Sequence, residues 1–254
     1  MLLSFIKYQG AGNDFVLIDD RALSFPLSDQ ILIHRLCHRS WGIGADGLIL
    51  IQSALNADAK MRIFNSDGKE ASMCGNGLRA AALYLNQRGI VIKERMHIES
   101  LYALHTCEIK KEGIATSMGV PKQLYSTPTR CVWDTGVPHA VIFTEDISSI
   151  NVDVSGKKIR HDPHFTPHGV NVSFVQKTKS SLLIRTYERG VEKETLACGT
   201  GACAAAIEAH KTHNIPFPMQ VIPPSKIPFT VDLIGEEIVL IEPVEEVFKG
   251  EIII

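Results

Sequence analysis

At 254 residues, 45% hydrophobic and 21% charged, the chain has the composition of an ordinary globular protein, long enough for one large core or two of moderate size. Its formal net charge of -2 offers no basic face for general nucleic-acid binding. No run of 18 apolar residues occurs, and "MLLSFIKYQG" meets Lys7 early and lacks a cleavage-site pattern. Neither a membrane span nor a signal peptide is expected, and a cytoplasmic location with reduced thiols follows.

In chain order, short runs rich in Val, Ile and Leu alternate with three helical patterns. "FVLIDD" reads as a strand, "SDQILIHRLCHR" as a helix capped by Ser28, and "GLILIQ" and "MRIFN" as strands. "GLRAAALYLNQRG" is the second helix, stopped by Gly89. The strands "VIKERMHIES", "AVIFTE", "VNVSFVQ" and "SLLIRTYE" lead to the third helix, "GACAAAIEAHKTH". "QVIPP" and "EEIVLIEP" complete the set. The pattern predicts an α+β protein in which each half wraps a sheet around one apolar helix.

The halves repeat one plan. "MCGNGLRAAA" from Met73 and "ACGTGACAAA" from Ala197 place Cys74 and Cys198 at the same junction, 124 residues apart. Glu70 and Glu194 each stand four residues upstream of the cysteine. Arg62, Phe64 and Asn65 match Arg185, Tyr187 and Glu188 once one residue is inserted. "GNDFVLI" at Gly12 and "GVPHAVIF" at Gly136 each begin 62 residues before their cysteine. A duplicated domain explains this ordered set, with residues 1–118 in one half and 119–242 in the other. The join falls in "GVPKQLYSTPTR", residues 119–130, read as a linker for its prolines and polar residues.

Six cysteines are present, without C-x-x-C or zinc-finger spacing, so no metal is expected. Cys37, Cys107, Cys131 and Cys203 read as small core residues. Cys74 and Cys198 differ, because a glycine-rich turn and a helix start follow each. The first amides of a helix lack intrahelical acceptors and hold carboxylates well. The positive helix end also favours thiolate over thiol. Two such junctions facing each other would grip one amino acid from both sides. One cysteine then removes the proton beside the carboxylate, the other returns it to the opposite face, and no cofactor is needed.

These residues closely resemble the diaminopimelate epimerase family. The resemblance is carried by "KYQGAGNDFVLID", "GIGADGLIL", "MRIFNSDGKEASMCGNGLRA", "GVNVSFV", "RTYERGVEKETLACGTGACA" and "VFKGEI", which span nearly the whole chain. It implies two pseudo-symmetric halves, each a sheet rolled around a central helix, with the active site in the cleft between them. It also implies that residues 243–254 return to the first half. The implied reaction interconverts LL- and meso-diaminopimelate for lysine and peptidoglycan synthesis, without pyridoxal phosphate. Cys74 and Cys198 correspond to the acid–base pair. Gly75, Asn76, Gly199 and Thr200 correspond to the carboxylate cradle, and Asn13, Asn65, His139, Asn171, Glu188 and Arg189 to substrate-binding positions. A small amino acid is the expected partner, with neither nucleic acid nor membrane, and family members are often homodimers.

One departure bears on substrate choice. The family block reads Gly-Asn-Pro-His, whereas this chain has "GVPH", with Val137 in place of asparagine. Valine cannot hydrogen-bond, which keeps open a relaxed racemase acting also on glutamate or similar acids. The "YERG" block argues against a proline or hydroxyproline racemase, and retention of both cysteines argues against a non-catalytic amino-acid-binding protein. Ser40 and Trp41 receive no role.

Overall fold

The computed structural model describes residues 2–127, 130–165 and 167–254. Its contacts divide the chain into two units. One takes the chain up to Thr116 together with Glu242–Ile254, and the other takes Ser117–Ile241.

The first unit runs β1 (Leu2–Gly10), β2 (Asn13–Asp19), α1 (Gln30–Cys37), β3 (Gly47–Gln52), β4 (Ala59–Asn65) and the short β5 (Glu70–Ala71). It continues with α2 (Gly75–Gln87), β6 (Arg95–Glu99), β7 (Leu104–Lys110) and β8 (Gly113–Ser117). β1 and β2 pair antiparallel, β2 and β3 parallel, β3 and β4 antiparallel, β4 and β6 parallel, and β6 to β8 antiparallel. Every residue of β3 is buried because helices cover both faces of the sheet. Ile49 and Ile51 join α2 in one core, while Leu48 and Leu50 join α1 in another. After α2, Gly89 adopts φ +65°, a left-handed turn that glycine takes without steric penalty.

The second unit runs β9 (Lys122–Ser126), β10 (Cys131–Asp134), β11 (Pro138–Phe143), α3 (Val152–Arg160), β12 (Asn171–Lys177), β13 (Leu182–Glu188) and β14 (Lys193–Thr195). It ends with α4 (Gly199–His213), β15 (Met219–Ile222), β16 (Phe229–Ile234) and β17 (Glu237–Glu242). β9 to β11 pair antiparallel, β11 and β12 parallel, β12 and β13 antiparallel, β13 and β15 parallel, and β15 to β17 antiparallel. The final strand, β18 (Glu245–Ile253), pairs antiparallel with β1 from Leu2↔Ile253 onward. Counting β18 before β1 gives the two units the same succession of parallel and antiparallel neighbours. The duplication is therefore legible in hydrogen-bond topology as well as in sequence.

α2 and α4 are the internal helices. Ala202 and Cys203 to Ala206 in α4 are fully buried, as expected of a helical stretch that is apolar on every side. Small side chains let the strands close on it. On the other side of the second unit, α3 packs on β13 through Gly156, where an added Cβ would sit 2.4 Å from Tyr187 Cβ.

Several local readings need correction. Asp29, not Ser28, caps α1: its carboxylate accepts from the Leu32 amide at 2.8 Å. α3 was not expected from the sequence. Only Arg95–Glu99 of "VIKERMHIES" is strand. The stretch read as a linker carries β9, paired with β10; Pro128 and Thr129 of that stretch lie outside the described residues. Among the described residues, no helix is long and apolar enough to cross a membrane.

Candidate active site

Each cysteine is the N-cap of an internal helix. Cys74 precedes α2 with φ -147° and ψ 119°, and Cys198 precedes α4 with φ -143° and ψ 104°. Neither side chain makes a cap hydrogen bond to its helix, and the first amides of a helix have no intrahelical acceptor. The approach to each junction is clipped in the same way. Arg62 holds Glu70 through two 2.7 Å bonds across β4 and β5, and Arg185 holds Glu194 through two 2.7 Å bonds across β13 and β14. These fork-shaped pairs fix the hairpins that deliver the cysteines. The Arg and Glu shared by the two sequence copies are thus structural clips.

In the first unit, Asn13 opens β2 and bridges three groups. Its Nδ2 donates to Asp46 Oδ2 at 2.8 Å, while its Oδ1 accepts from Asn76 Nδ2 at 3.1 Å and lies 3.8 Å from Cys74 Sγ. Asn76 Oδ1 in turn accepts from Arg79 Nη2 at 2.6 Å. Arg79 is buried on α2, where it also donates to Thr116 and pairs with Glu242. Gly75 is the first helical residue, beside Asn76. Asn65 ends β4 with its side chain exposed, opposite Gly47 in the ladder.

The second unit surrounds its cysteine differently. Thr200 Oγ1 lies 3.5 Å from Cys198 Sγ and 2.9 Å from His139 Nε2. Asn171, the first residue of β12, accepts the Arg189 amide on Oδ1 at 2.7 Å, so its Nδ2 faces His139 Nε2 at 3.1 Å. That bond makes Nε2 an acceptor and places the imidazole proton on Nδ1, toward Ser173 Oγ at 3.1 Å. Ser173 meets Thr186 at 3.2 Å, completing a buried polar layer beneath α4. Gly199 and Thr200 form the first turn of α4. Gly201 lets the helix rest on this layer: an added Cβ would lie 3.0 Å from Ser173 Oγ and 3.1 Å from both His139 Cε1 and Thr186 Oγ1. Glu188, at the end of β13, accepts from Thr195 Oγ1 at 2.5 Å. Arg189 donates from Nη1 to the His168 carbonyl at 3.3 Å.

Electrostatics correct one expectation. Helix-start cysteines were expected to be partly ionised, but burial dominates at both. Desolvation raises the Cys74 thiol above its ordinary value, against the pull of the Gly77 and Asn76 amides and the Arg79 charge. Cys198 is pushed up to about 12 by burial and then by the Glu188 carboxylate, opposed by Thr200 and the Gly201 amide. His139, fully buried, is lowered to about 3, chiefly by desolvation and then by the Arg189 charge, and is neutral. The helix amides therefore moderate a cost that burial imposes.

Sequence reasoning assigned no role to Asp46, Arg79, Ser173 or Thr186, which hold the assigned residues in place. "GIGADGLIL" and "GVNVSFV" contained Asp46 and Ser173, but their partners are 33 and 34 residues away in the chain.

Each unit presents a cysteine at the start of its internal helix, and the relatives that the chain matches are epimerases, a class of isomerase. The diaminopimelate epimerase family description matches residues 5–124 and 131–247. The chain belongs to the diaminopimelate epimerase family. It is 41% identical over 208 residues to a diaminopimelate epimerase of Flavobacterium psychrophilum, covering 81% of each chain. It is 38% identical over 273 residues to that of Aquifex aeolicus, covering 98% of each. Among solved structures, it resembles a phenazine biosynthesis protein of the PhzF family from Bacillus anthracis. That likeness has a TM-score of 0.75 at 14% identity over the full length of both, and it speaks to the fold alone.

Proposed function

We propose that this chain interconverts LL- and meso-diaminopimelate in the cytoplasm, with Cys74 and Cys198 as the two acid–base groups. The observation that carries the reading is the repeated junction: a cysteine at the N-cap of a buried helix, with the first amides of that helix beside it. The curated relatives supply the substrate. In this reaction the substrate carboxylate takes the amides of Gly75, Asn76, Gly199 and Thr200, which stabilise charge as the α-proton leaves. One sulfur removes that proton and the other delivers one to the opposite face. A desolvated thiolate is the stronger base once formed, and the amides of Gly77 and Gly201 hold its charge. Asn65, Asn171, Glu188 and Arg189 take the distant amino and carboxyl groups. No step requires pyridoxal phosphate or a metal.

Incubation with LL-diaminopimelate in heavy water, followed by chiral analysis and mass spectrometry, tests this directly. Formation of the meso isomer with deuterium at the inverted carbon supports it. Failure to form it with a folded, reduced enzyme overturns it.

A second reading, relaxed specificity toward acidic amino acids, rests on Val137. The residue just before β11 occupies the place that Asn13 holds before Cys74, yet brings no hydrogen-bonding group.

A further inference from the structure

The Asn13 carboxamide touches the sulfur environment of Cys74 with its oxygen, and its nitrogen points away. The cause lies outside the cysteine junction. Asp46, in the loop before β3, accepts Asn13 Nδ2 on Oδ2 at 2.8 Å. Its other oxygen accepts from Arg39 Nη2 at 2.8 Å. Arg39 also grips Asp14 at 3.0 and 2.8 Å, and the Asp46 amide donates to Asp14 Oδ1 at 3.0 Å. Lys7 pairs with the same Asp14 carboxylate at 2.8 Å. Asp46 is thereby fixed by its backbone and by a cation, with its second oxygen aimed at Asn13.

We propose that Asp46 is a positioning residue for Cys74, acting through Asn13 by dictating which end of the carboxamide faces the sulfur. The hydrogen bonds run in one direction, from Arg79 to Asn76, from Asn76 to Asn13, and from Asn13 to Asp46. Turning Asn13 over would set its NH2 against that of Asn76 and two oxygens against each other at Asp46. With the observed orientation, Cys74 meets an acceptor, which receives a proton from a thiol and offers none to a thiolate. Asp46 thus adds to burial, the main cause, in keeping Cys74 protonated between turnovers. The charged groups facing Cys74 are Arg79 from α2, which favours thiolate, and Asp46, which opposes it.

The inference rests on the reading of Cys74 as a catalytic group, but its test does not need substrate. The rate of Cys74 alkylation by iodoacetamide, followed by peptide mass spectrometry across pH, reports its ionisation in the full-length protein. Asp46→Ala should move the Cys74 midpoint down by about one pH unit, through loss of both the charge and the amide orientation, and leave Cys198 unmoved. In the epimerase assay, kcat should fall about tenfold with KM within about twofold, and Asp46→Asn, which keeps one oxygen for Asn13, should recover most of it. An unshifted Cys74 midpoint in folded Asp46→Ala, or an equal shift at Cys198, overturns the proposal. The wild-type protein gives a second test: NMR contacts from the Asn13 carboxamide protons should reach the Asp46 side chain. Contacts to Cys74 Hβ instead would overturn the proposal even if Asp46→Ala does not fold. A wild-type enzyme inactive on diaminopimelate would overturn the functional reading and leave both tests standing.

Discussion

Cys74 and Cys198 stand at the same backbone position of duplicated units, yet they keep different company. Beside Cys74 the nearest side-chain partner is the Asn13 amide oxygen, in a network ending at Asp46 and Arg79. Beside Cys198 it is the Thr200 hydroxyl, backed by a neutral imidazole and the Ser173–Thr186 pair. Cap geometry, the Arg–Glu clips and the strand succession were retained in both copies. The polar groups around the sulfurs were not. The two sulfurs thus share a backbone position and differ in their neighbours, an amide oxygen at one and a hydroxyl and imidazole at the other.

The severest way to break the comparison is to remove one sulfur at a time. Cys74→Ala and Cys198→Ala should each lower epimerisation at least about 1,000-fold in chiral product assays, because neither role can be filled by the other residue. Near-normal turnover in either variant would end the two-base account.

Small residues under the helices offer the next test. Gly201→Ala drives a methyl into the His139–Ser173–Thr186 layer and should cost about 1–3 kcal/mol in chemical denaturation. Gly77→Ala meets chiefly the mobile Ile63 Cδ1, at 2.6 Å, and should cost less. Equal losses would mean that the polar layer is no stiffer than the apolar one.

His139 belongs to one unit only, and pH reads it out. Because its folded value is about 3, the unfolded chain binds the extra proton between about pH 6.5 and 3. Stability should therefore be unaffected by this group above about pH 6.5 and fall by about 1.4 kcal/mol per unit below it. His139→Gln should flatten that part of the stability–pH curve by one proton. An unchanged slope would show that the imidazole is protonated in the folded state.

The smallest expected effect concerns Val137. Restoring a hydrogen-bonding group with Val137→Asn should favour diaminopimelate over glutamate by about 0.5–1.5 kcal/mol, or about two- to twelvefold in the ratio of kcat/KM values. A ratio that stays fixed or moves toward glutamate removes Val137 from substrate selection.

How much of this was written locally can be judged from particular residues. The buried strand "GLILIQ" and the alanine-rich helices were plain, since each carries its own period and its own glycine punctuation. α3 was not, although Asn151 caps it and Lys157, Lys158 and Arg160 fill its last turn. Three β-branched residues and Gly156 within nine positions hide a helix whose stability comes from packing on Tyr187. Polar strands such as β7 and β9 were equally hidden, because ladder partners rather than hydrophobic alternation define them. The cysteines announced themselves by repetition. Asp46 did not, since its work lies in a contact with Asn13 across 33 residues of chain, which no local pattern records.

The pairing of β18 with β1 sets an order on biosynthesis. The second unit is one uninterrupted stretch, Ser117–Ile241, and can assemble as soon as it clears the ribosome. The first unit cannot: β1 waits for its neighbour β18, which is made only after the whole second unit, and holds one edge unpaired until then. The part synthesised first is thus finished last. A circularly permuted gene that begins at β18 and runs on into β1 would bring these two strands together as a nascent hairpin and reverse that order.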